Sequence, residues 1–378
     1  MLVHAALGFL LQQPVPIQRL QRPDATLPRE FIQVRGVVER PDGRVLIADR
    51  LEQFVGVVDF RDGSVTRIGR VGGGPEEYRL PSGLLRVAGD SVLVTDEGNN
   101  RLALIGPDLR IRRTFQPATP GLAERIWPRT VDAGGRYYAL IPGWVLFGMG
   151  QPDDSLPVIR FLPAPAGRTR ETIAWLHPAP QPPPPPRRDR PRIPMLVFAA
   201  GDAWAADPSG RIAIVRAKDY HVEWIDPSGA KITGPAVAWQ PIEVTERDKT
   251  EYTRTFLANS GIGGKGGPGG APGGLIATPP EMMAPKEVAA LAENTAFAKT
   301  KAPFTEARPL IGPEGTLWVE RSMPRGSPSR WDVFDGQGRL TTQVELPVGR
   351  RLVGLGKASV YLVSVDADGV ERLERHRP

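Results

Sequence analysis

Residues 42–49 read DGRVLIAD, a tight-turn sequence followed by a short apolar run that ends in an aspartate. Related stretches recur as GDSVLVTD (89–96), GGRYYALI (134–141), SGRIAIVR (209–216), EGTLWVER (314–321) and KASVYLVS (357–364). Short apolar runs that follow Gly-containing turns are typical of β-strands. The six copies therefore predict an all-β repeat fold, in which each copy is the second strand of one repeat.

The spacing of these copies predicts the architecture. Their first apolar residues, Val45, Val92, Tyr137, Ile212, Leu317 and Val360, are 47, 45, 75, 105 and 43 residues apart. The three short steps match the roughly 40–50 residues of a four-stranded propeller blade. Blades stack radially because a single blade cannot bury both of its faces. We predict one six-bladed β-propeller over residues 14–378, or seven blades if the longest step conceals weak strands.

The two long steps contain predicted insertions, at about residues 150–195 and 241–308. The first includes the Pro-rich run HPAPQPPPPPRRDRPRIP (177–194), which favours an extended spacer. The second includes the Gly-rich run GIGGKGGPGGAPGG (261–274) and a helical pattern with Pro285 near its start and Val288, Leu291 and Ala292 on one side. We expect 177–194 and 261–274 to be mobile and dispensable for folding.

Closure of the ring requires one further strand. The last repeat provides three strands before the chain ends, and an unpaired outer edge would expose backbone N–H and C=O groups. Residues 15–22 (VPIQRLQR) have the alternation of a strand. We predict that they form the outermost strand of blade six and pair with residues 369–377.

Composition excludes several classes of protein. With 0 Cys there is no disulfide framework, thiolate metal site or cysteine nucleophile. The net charge is +6, but residues 168–192 contribute +4 of it (six Arg, one Asp, one Glu), so nucleic acid is not an expected partner. Residues 1–13 include an apolar run too short to span a membrane, which resembles a signal-peptide core without its basic region. We expect a monomer without a transmembrane segment, periplasmic or secreted, with a cytoplasmic protein as the alternative.

The glycine-rich stretch RIGRVGGGPEEYRLPSG (67–83) is a poor phosphate-binding loop. Pro75 offers no N–H group, and Glu76 and Glu77 would repel a phosphate. No Lys-Ser or Lys-Thr pair follows at the spacing that such a loop requires. The stretch is interpreted as a connection between two blades.

The segment VLVTDEGNNRLALIGPDLRIRRTF (92–115) resembles an NHL-type propeller repeat, in which a strand ends in Asp and an Asn-Arg loop leads into the returning strand. Asp96, Asn100 and Arg101 occupy those places. Together with GRVGGGPEEY (69–78), the chain resembles bacterial six-bladed propellers of the NHL/TolB-like kind. The resemblance implies the fold and frequent export, and it leaves function open because propellers host enzymes, scaffolds and receptors.

Two sets of residues are candidate ligand-binding groups at the channel. Asp49 and Asp96 end the second strands of two blades, where Arg216 and Arg321 stand in two others. They could form a polar ring that binds a ligand or cation, or the two Asp side chains could accept backbone N–H bonds in the following turns.

The second set lies near the starts of the innermost strands, which line a propeller's channel. It comprises Arg35, Arg129, Arg308 and Arg351. Converging guanidinium groups would bind a carboxylate, sulfate or phosphate. Alternatively, they pair with acids such as Glu39, Asp49 and Asp96, or point to solvent.

The sequence favours binding over catalysis. The four His residues show no metal-ligand spacing, and no G-x-S-x-G motif is present. We predict a non-catalytic propeller without a cofactor, which binds a small anionic ligand or a protein partner through its channel mouth and inserted loops. The alternative is a propeller enzyme of the lactonase or lyase type, which in related folds uses a metal at the channel axis. A Ca²⁺ ion bound in the channel is therefore kept as an alternative to a protein without a cofactor. The Pro-rich run could also recruit a polyproline-binding partner.

Overall fold

The computed structural model describes residues 15–87, 89–116, 126–141, 155–162, 170–188, 191–260, 284–366 and 369–377. In these ranges, six antiparallel sheets of four strands follow one another along the chain, and one of them gains a fifth strand. The prediction of a six-bladed β-propeller is therefore confirmed. Each of the six residues used to measure the repeat is the first residue of the second strand in its blade.

The strands and helices have the following bounds. The N-terminal segment contains β1 (Ile17–Arg19) and β2 (Ala25–Phe31). Blade one contains β3 (Val34–Glu39), β4 (Val45–Asp49), β5 (Phe54–Val58) and β6 (Val65–Arg67), and a connection with β7 (Arg70–Val71) and β8 (Glu77–Tyr78) follows. Blade two contains β9 (Pro81–Arg86), β10 (Val92–Asp96), β11 (Arg101–Ile105) and β12 (Ile111–Phe115), with a 3₁₀ turn at Glu97–Asn99. Blade three contains β13 (Thr130–Val131), β14 (Tyr137–Leu140), β15 (Leu156–Phe161) and β16 (Arg170–Leu176).

The second half of the chain completes the ring. Blade four contains β17 (Ala203–Ala206), β18 (Ile212–Arg216), β19 (His221–Ile225) and β20 (Lys231–Thr233). An insertion then contains β21 (Ile242–Glu243), α1 (Glu246–Ser260), α2 (Pro285–Glu293) and β22 (Thr300–Lys301). Blade five contains β23 (Leu310–Ile311), β24 (Leu317–Arg321), β25 (Arg330–Phe334) and β26 (Leu340–Glu345). Blade six contains β27 (Arg350–Leu355), β28 (Val360–Val365) and β29 (Glu371–His376).

The apolar runs are continuous because both faces of each blade are covered by neighbouring blades. In β4, Val45 and Ile47 pack into a cluster shared with blade six. Leu46 and Ala48 point the other way, into a cluster shared with blade two. Successive side chains of a strand alternate between its two faces, so a strand between two neighbours needs apolar residues at every position.

The prediction that residues 15–22 form the outermost strand of blade six is wrong. Two N-terminal strands pair with the last two blades, and the other one, β2, takes that position. Within residues 15–22, β1 pairs in parallel with β26 and becomes the fifth strand of blade five. The outer strand of blade six is β2, which pairs antiparallel with β29. Leu27 and Phe31 of β2 are almost fully buried between blades six and one, whereas Ile17 is 41% exposed. The larger burial at β2 explains why it, rather than β1, takes the closing position.

The first insertion is shorter than predicted. Residues 156–161 and 170–176, which we placed inside it, are β15 and β16, the two outer strands of blade three. Residues 142–154 and 163–169 lie outside the described part of the chain, as do residues 1–14, which contain the predicted leader, and the Gly-rich run 261–274.

The Pro-rich run is packed on the second insertion, so the prediction of a mobile spacer is wrong for its C-terminal part. Ile193 is fully buried against Leu257 of α1 and Val288 of α2. The Asn294 side chain donates to the carbonyl oxygens of Arg187 (3.0 Å) and Pro191 (3.1 Å), and it accepts the Arg187 N–H (3.0 Å). A polyproline chain makes no internal hydrogen bonds, and here one amide side chain supplies the missing partners.

Helix α1 was missed by the sequence analysis, although a capping signal precedes it. Thr245 Oγ1 accepts the Asp248 N–H (3.1 Å), and Asp248 Oδ2 accepts the Thr245 N–H (2.9 Å), which together form a capping box. The Lys301 ammonium donates to Asp248 Oδ1 (2.9 Å) and fixes the helix to β22. Helix α2 begins at Pro285 and buries Val288 and Leu291, as its pattern predicted; Ala292 is half-buried.

The Asp248 carboxylate makes the insertion sensitive to acid. Burial raises its pKa, but Lys301 and Thr245 outweigh burial and lower the pKa to about 2 from 3.8. A depressed pKa stabilises the folded state above about pH 4, and this contribution is lost as the pH falls toward about 2. We expect Asp248→Asn to reduce the free energy of unfolding by about 2 kcal/mol at pH 7, and by progressively less below about pH 4.

Urea denaturation of both proteins at several pH values would measure this difference. Glu246→Gln is the matched control, because its ion pair with Lys249 is exposed and contributes less than about 1 kcal/mol. A difference between wild type and Asp248→Asn that does not change with pH would contradict the expectation.

Candidate functional site

The predicted site residues lie at one face of the ring. In blade one the start of the inner strand, Val34, pairs with the end of the second strand, Asp49, because the two strands are antiparallel. We call the face at which the inner strands begin the upper face. The lower face contains the turns between first and second strands.

The Asp49 carboxylate is used within blade one. It is fully buried, and its Oδ2 atom accepts the N–H groups of Ile32 (2.6 Å) and Gln33 (2.9 Å). Its Oδ1 atom accepts the Glu52 N–H (2.9 Å) in the following turn. These bonds match the alternative interpretation of Asp49 as an acceptor of backbone N–H groups.

The Asp96 carboxylate has a similar role in blade two. It is fully buried and accepts the Arg79 N–H (2.7 Å), the Asn99 side-chain amide (2.8 Å) and Arg101 Nε (3.1 Å). Asn100 ends the 3₁₀ turn with a φ of 52°, in the left-handed region that Asn tolerates.

The residues of the NHL-like resemblance also hold the glycine-rich connection in place. Arg101 donates to the carbonyl oxygens of Gly73 (3.1 Å), Gly74 (2.6 Å) and Glu77 (2.8 Å). The Gly74 N–H, which a phosphate loop would offer to its ligand, donates to Glu77 Oε2 (2.6 Å). The loop is thus filled by its own side chains.

Arg216 and Arg321 are also paired inside the blades. Arg216 forms ion pairs of 2.7 Å with Asp202 and with Glu223. Arg321 lies 3.4 Å from the buried Asp332 and its guanidinium lies 5.8 Å from the ring centre of Tyr220. The second-strand ends therefore do not form a shared polar ring.

Arg35 and Arg351 are brought together by the adjacent blades one and six. Arg351 donates to Glu371 Oε1 (2.7 Å) and to the Val34 carbonyl oxygen (3.2 Å). Partial burial, followed by repulsion from Arg351 and Arg50, lowers the pKa of Arg35. Glu371 compensates part of this positive charge. On the alternative interpretation the channel Arg residues pair with acids, and the acid found here is Glu371 rather than one of those named from the sequence.

Arg129 and Arg308 differ in character from the first two Arg residues. They belong to blades three and five, which are not adjacent in the ring. The Arg129 guanidinium lies 5.3 Å from the ring centre of Trp204 in β17. Burial and then repulsion from Arg308 lower the pKa of Arg129 to about 9. Among the described residues, no carboxylate lies within ion-pair distance of either side chain.

Trp204 is the residue of this site that the sequence analysis missed. It precedes Ile212 by eight residues, as Arg129 precedes Tyr137, and this equal offset places both near the start of an inner strand. An aromatic ring under a guanidinium fixes the position of the cation without neutralising it. The site therefore presents an oriented, uncompensated positive charge.

The residues at the upper face do not fit an axial metal. In the parts of the chain that the structure describes, no three His, Cys, Asp or Glu side chains are grouped as metal ligands. The inner-strand starts contribute Arg35, Arg129, Arg308 and Arg351, and cations repel a metal ion. Asp49 and Asp96 already accept several N–H groups each, so both carboxylates are used within the fold.

Comparison with known proteins adds the following. No family model and no curated protein matches the chain. Solved structures similar to it include a gluconolactonase of Xanthomonas campestris, with 13% identity, a TM-score of 0.45 and 94% coverage of both chains. A second is a member of the duf4221 family from Bacteroides vulgatus, with 8% identity, a TM-score of 0.45 and 95% coverage of both chains. A third is a catalytically inactive virginiamycin B lyase of Staphylococcus aureus with quinupristin, with 11% identity, a TM-score of 0.40 and coverage of 92% of this chain and 97% of that one. Likeness at this level says nothing about activity.

In the described ranges, no helix has the length and apolar character needed to cross a bilayer.

Proposed function

We propose that this protein is a binding propeller that takes a small anionic ligand at the upper face of its channel. The observation that carries this proposal is that the Arg129 guanidinium lies over the Trp204 ring with no described carboxylate paired to it, while Arg308, also without a described ion pair, repels it. Two guanidinium groups without counter-charges repel one another, and a bound anion removes that repulsion. The planar donor pairs of Arg suit a carboxylate, sulfate or phosphate.

The role is binding rather than catalysis. Arg129 lies over the Trp204 ring, and among the described residues no carboxylate that could transfer a proton forms an ion pair with it. The resemblance of residues 92–115 to an NHL-type repeat, and the expectation from sequence that residues 1–13 act as a leader, are the grounds for proposing a binding protein outside the cytoplasm. The lactonase or lyase alternative requires a metal, which gives it a distinct experimental outcome.

The proposal predicts that an anion raises the melting temperature through Arg129 and Arg308. Sulfate or succinate at a hundredfold excess over its Kd should stabilise the fold by about 2.7 kcal/mol. We expect the double variant Arg129→Gln with Arg308→Gln to lose this response while keeping the fold. Thermal unfolding with each anion, at constant ionic strength set with chloride, measures it.

Two controls sharpen this test. Arg112→Gln with Arg339→Gln removes two exposed Arg residues that pair with turn aspartates, and it should respond to anions like the wild type. Equal stabilisation of wild type and the Arg129/Arg308 variant would refute the proposal. Stabilisation by Ca²⁺ that a chelator reverses would instead favour the metal-dependent enzyme.

A further inference from the structure

A cavity of about 400 Å³ lies at the lower face, at the opposite end of the inner strands from the Arg129–Arg308 pair. It is formed by the first turns of blades one, two, five and six. Its charged lining residues are Glu39, Arg40, Arg86, Asp90, Glu314 and Lys357. Val38, Val87, Val92 and two prolines, Pro41 and Pro313, supply apolar walls. Six of the fourteen lining residues are charged, so the cavity suits a small polar ligand.

Two of the charged residues are already occupied by the fold. Glu39 accepts the Tyr361 hydroxyl (2.6 Å) and the Lys357 N–H (3.1 Å), which joins blade one to blade six. Arg40 lies 3.5 Å from Asp42 and donates to the Pro107 carbonyl oxygen (2.9 Å). The Glu39 carboxylate is thus used within the fold, and the Arg40 charge is paired with Asp42, although its Nε and Nη1 atoms have no hydrogen-bond partner among the described residues.

Four charges are left, two of each sign. The Arg86 guanidinium donates to the Glu39 carbonyl oxygen (3.0 Å), and within the described chain it has no carboxylate at ion-pair distance. Glu39 and, more weakly, Asp90 attract Arg86 without forming an ion pair with it. Glu314 and the Lys357 ammonium have no ion pair with any described residue. The available charges therefore sum to zero.

Arg86 and Glu314 place a positive and a negative charge at different positions in the cavity, which would orient a ligand that carries both charges. Arg86 ends the inner strand of blade two, and Glu314 lies in the first turn of blade five. Blades two and five are opposite one another in a six-bladed ring, so Arg86 and Glu314 stand on opposite sides of the channel. Asp90 lies on the same blade as Arg86, and Lys357 lies on blade six, next to blade five. Burial lowers the pKa of Arg86, which reflects how closely protein surrounds this guanidinium.

We propose that the lower cavity binds a small zwitterion, with its carboxylate on Arg86 and its ammonium group toward Glu314. Amino acids and short peptides belong to this class. A dianion would lie beside Asp90 and Glu314, and a dication beside Arg86 and Lys357, so both are disfavoured relative to a ligand that carries both signs. This proposal is independent of the upper-face anion site, because the two sites use different residues at opposite faces.

Isothermal titration calorimetry with chemically matched probes tests the proposal. It is carried out on the full chain carrying Arg129→Gln and Arg308→Gln, so that no carboxylate binds at the upper-face site. The zwitterions 4-aminobutanoate and 6-aminohexanoate are compared with succinate and 1,4-diaminobutane. We expect saturable binding of at least one zwitterion, and binding at least about tenfold weaker for succinate and the diamine. Arg86→Gln and Glu314→Gln should each weaken zwitterion binding at least about tenfold.

Controls separate loss of the site from loss of the fold. Glu314 lies in an exposed turn, so Glu314→Gln should melt like the wild type; Arg86→Lys preserves the charge if Arg86→Gln unfolds. Arg112→Gln, which changes an exposed residue outside the cavity, should leave zwitterion binding unchanged. No saturable binding of either zwitterion, succinate binding as tight as theirs, or unaltered affinity in Glu314→Gln would each overturn the proposal.

Discussion

Deletion of residues 1–31 is expected to abolish a stable folded monomer, whereas deletion of residues 1–24 should leave the propeller folded. The longer deletion removes β2, whose Leu27 and Phe31 are each 1% exposed between blades six and one. Loss of a buried Leu or Phe side chain costs about 2–5 kcal/mol each. The deletion also leaves the edge of β29 unpaired, which promotes association between chains. Together these effects approach the whole stability of a typical domain, about 5–15 kcal/mol.

The shorter deletion removes β1, which adds a parallel strand to an already complete blade five. It also removes Leu20, so a moderate loss of about 2–3 kcal/mol is expected. Chemical denaturation and size-exclusion chromatography of the two deletions measure the difference. Phe31→Ala and Ile17→Ala are the matched point variants, since Phe31 is buried and Ile17 is 41% exposed. Equal stability of the two deletions would show that β2 does not close the ring.

Asp332→Ala is expected to destabilise the protein by about 3–5 kcal/mol, because it removes the anionic partner of a buried ion pair. Asp332 is fully buried between blades four and five and accepts hydrogen bonds from the Tyr220 hydroxyl and from Gln343 Nε2 (2.7 Å). Arg321 lies 3.4 Å away. Truncation leaves all three groups without their shared acceptor.

Conservative variants test the same explanation. Burial raises the pKa of Asp332 in spite of Arg321, so a neutral acceptor is tolerated better, and Asp332→Asn should cost less than Asp332→Ala. Asp108→Ala, which breaks an exposed pair with Arg112, should cost less than about 1 kcal/mol. Urea unfolding at pH 7 gives these values. An Asp332→Ala cost no larger than that of Asp108→Ala would contradict the assigned role.

The candidate site was only partly predictable from sequence. The inner-strand positions of Arg35, Arg129, Arg308 and Arg351 follow from their offsets to the repeat, and those offsets are local. Which of them meet, and which have an acid beside them, depends on contacts between residues far apart in the chain. Glu371 neutralises part of the positive charge of Arg35 and Arg351, whereas no described carboxylate forms an ion pair with Arg129 or Arg308.

The sequence by itself determined the number of blades and the second strand of each. A strand between two blades must be apolar on both faces, and this requirement repeats at a fixed interval that can be measured along the chain. Only the tertiary structure decided which N-terminal strand closes the ring and that the Pro-rich run packs on α1 and α2. It also decided that the lower cavity places Arg86 opposite Glu314. These features depend on packing between residues far apart in the chain. There the burial of Phe31 or Ile193 outweighs the secondary-structure preference of the surrounding segment, and a short stretch of sequence does not show which distant residues will bury it.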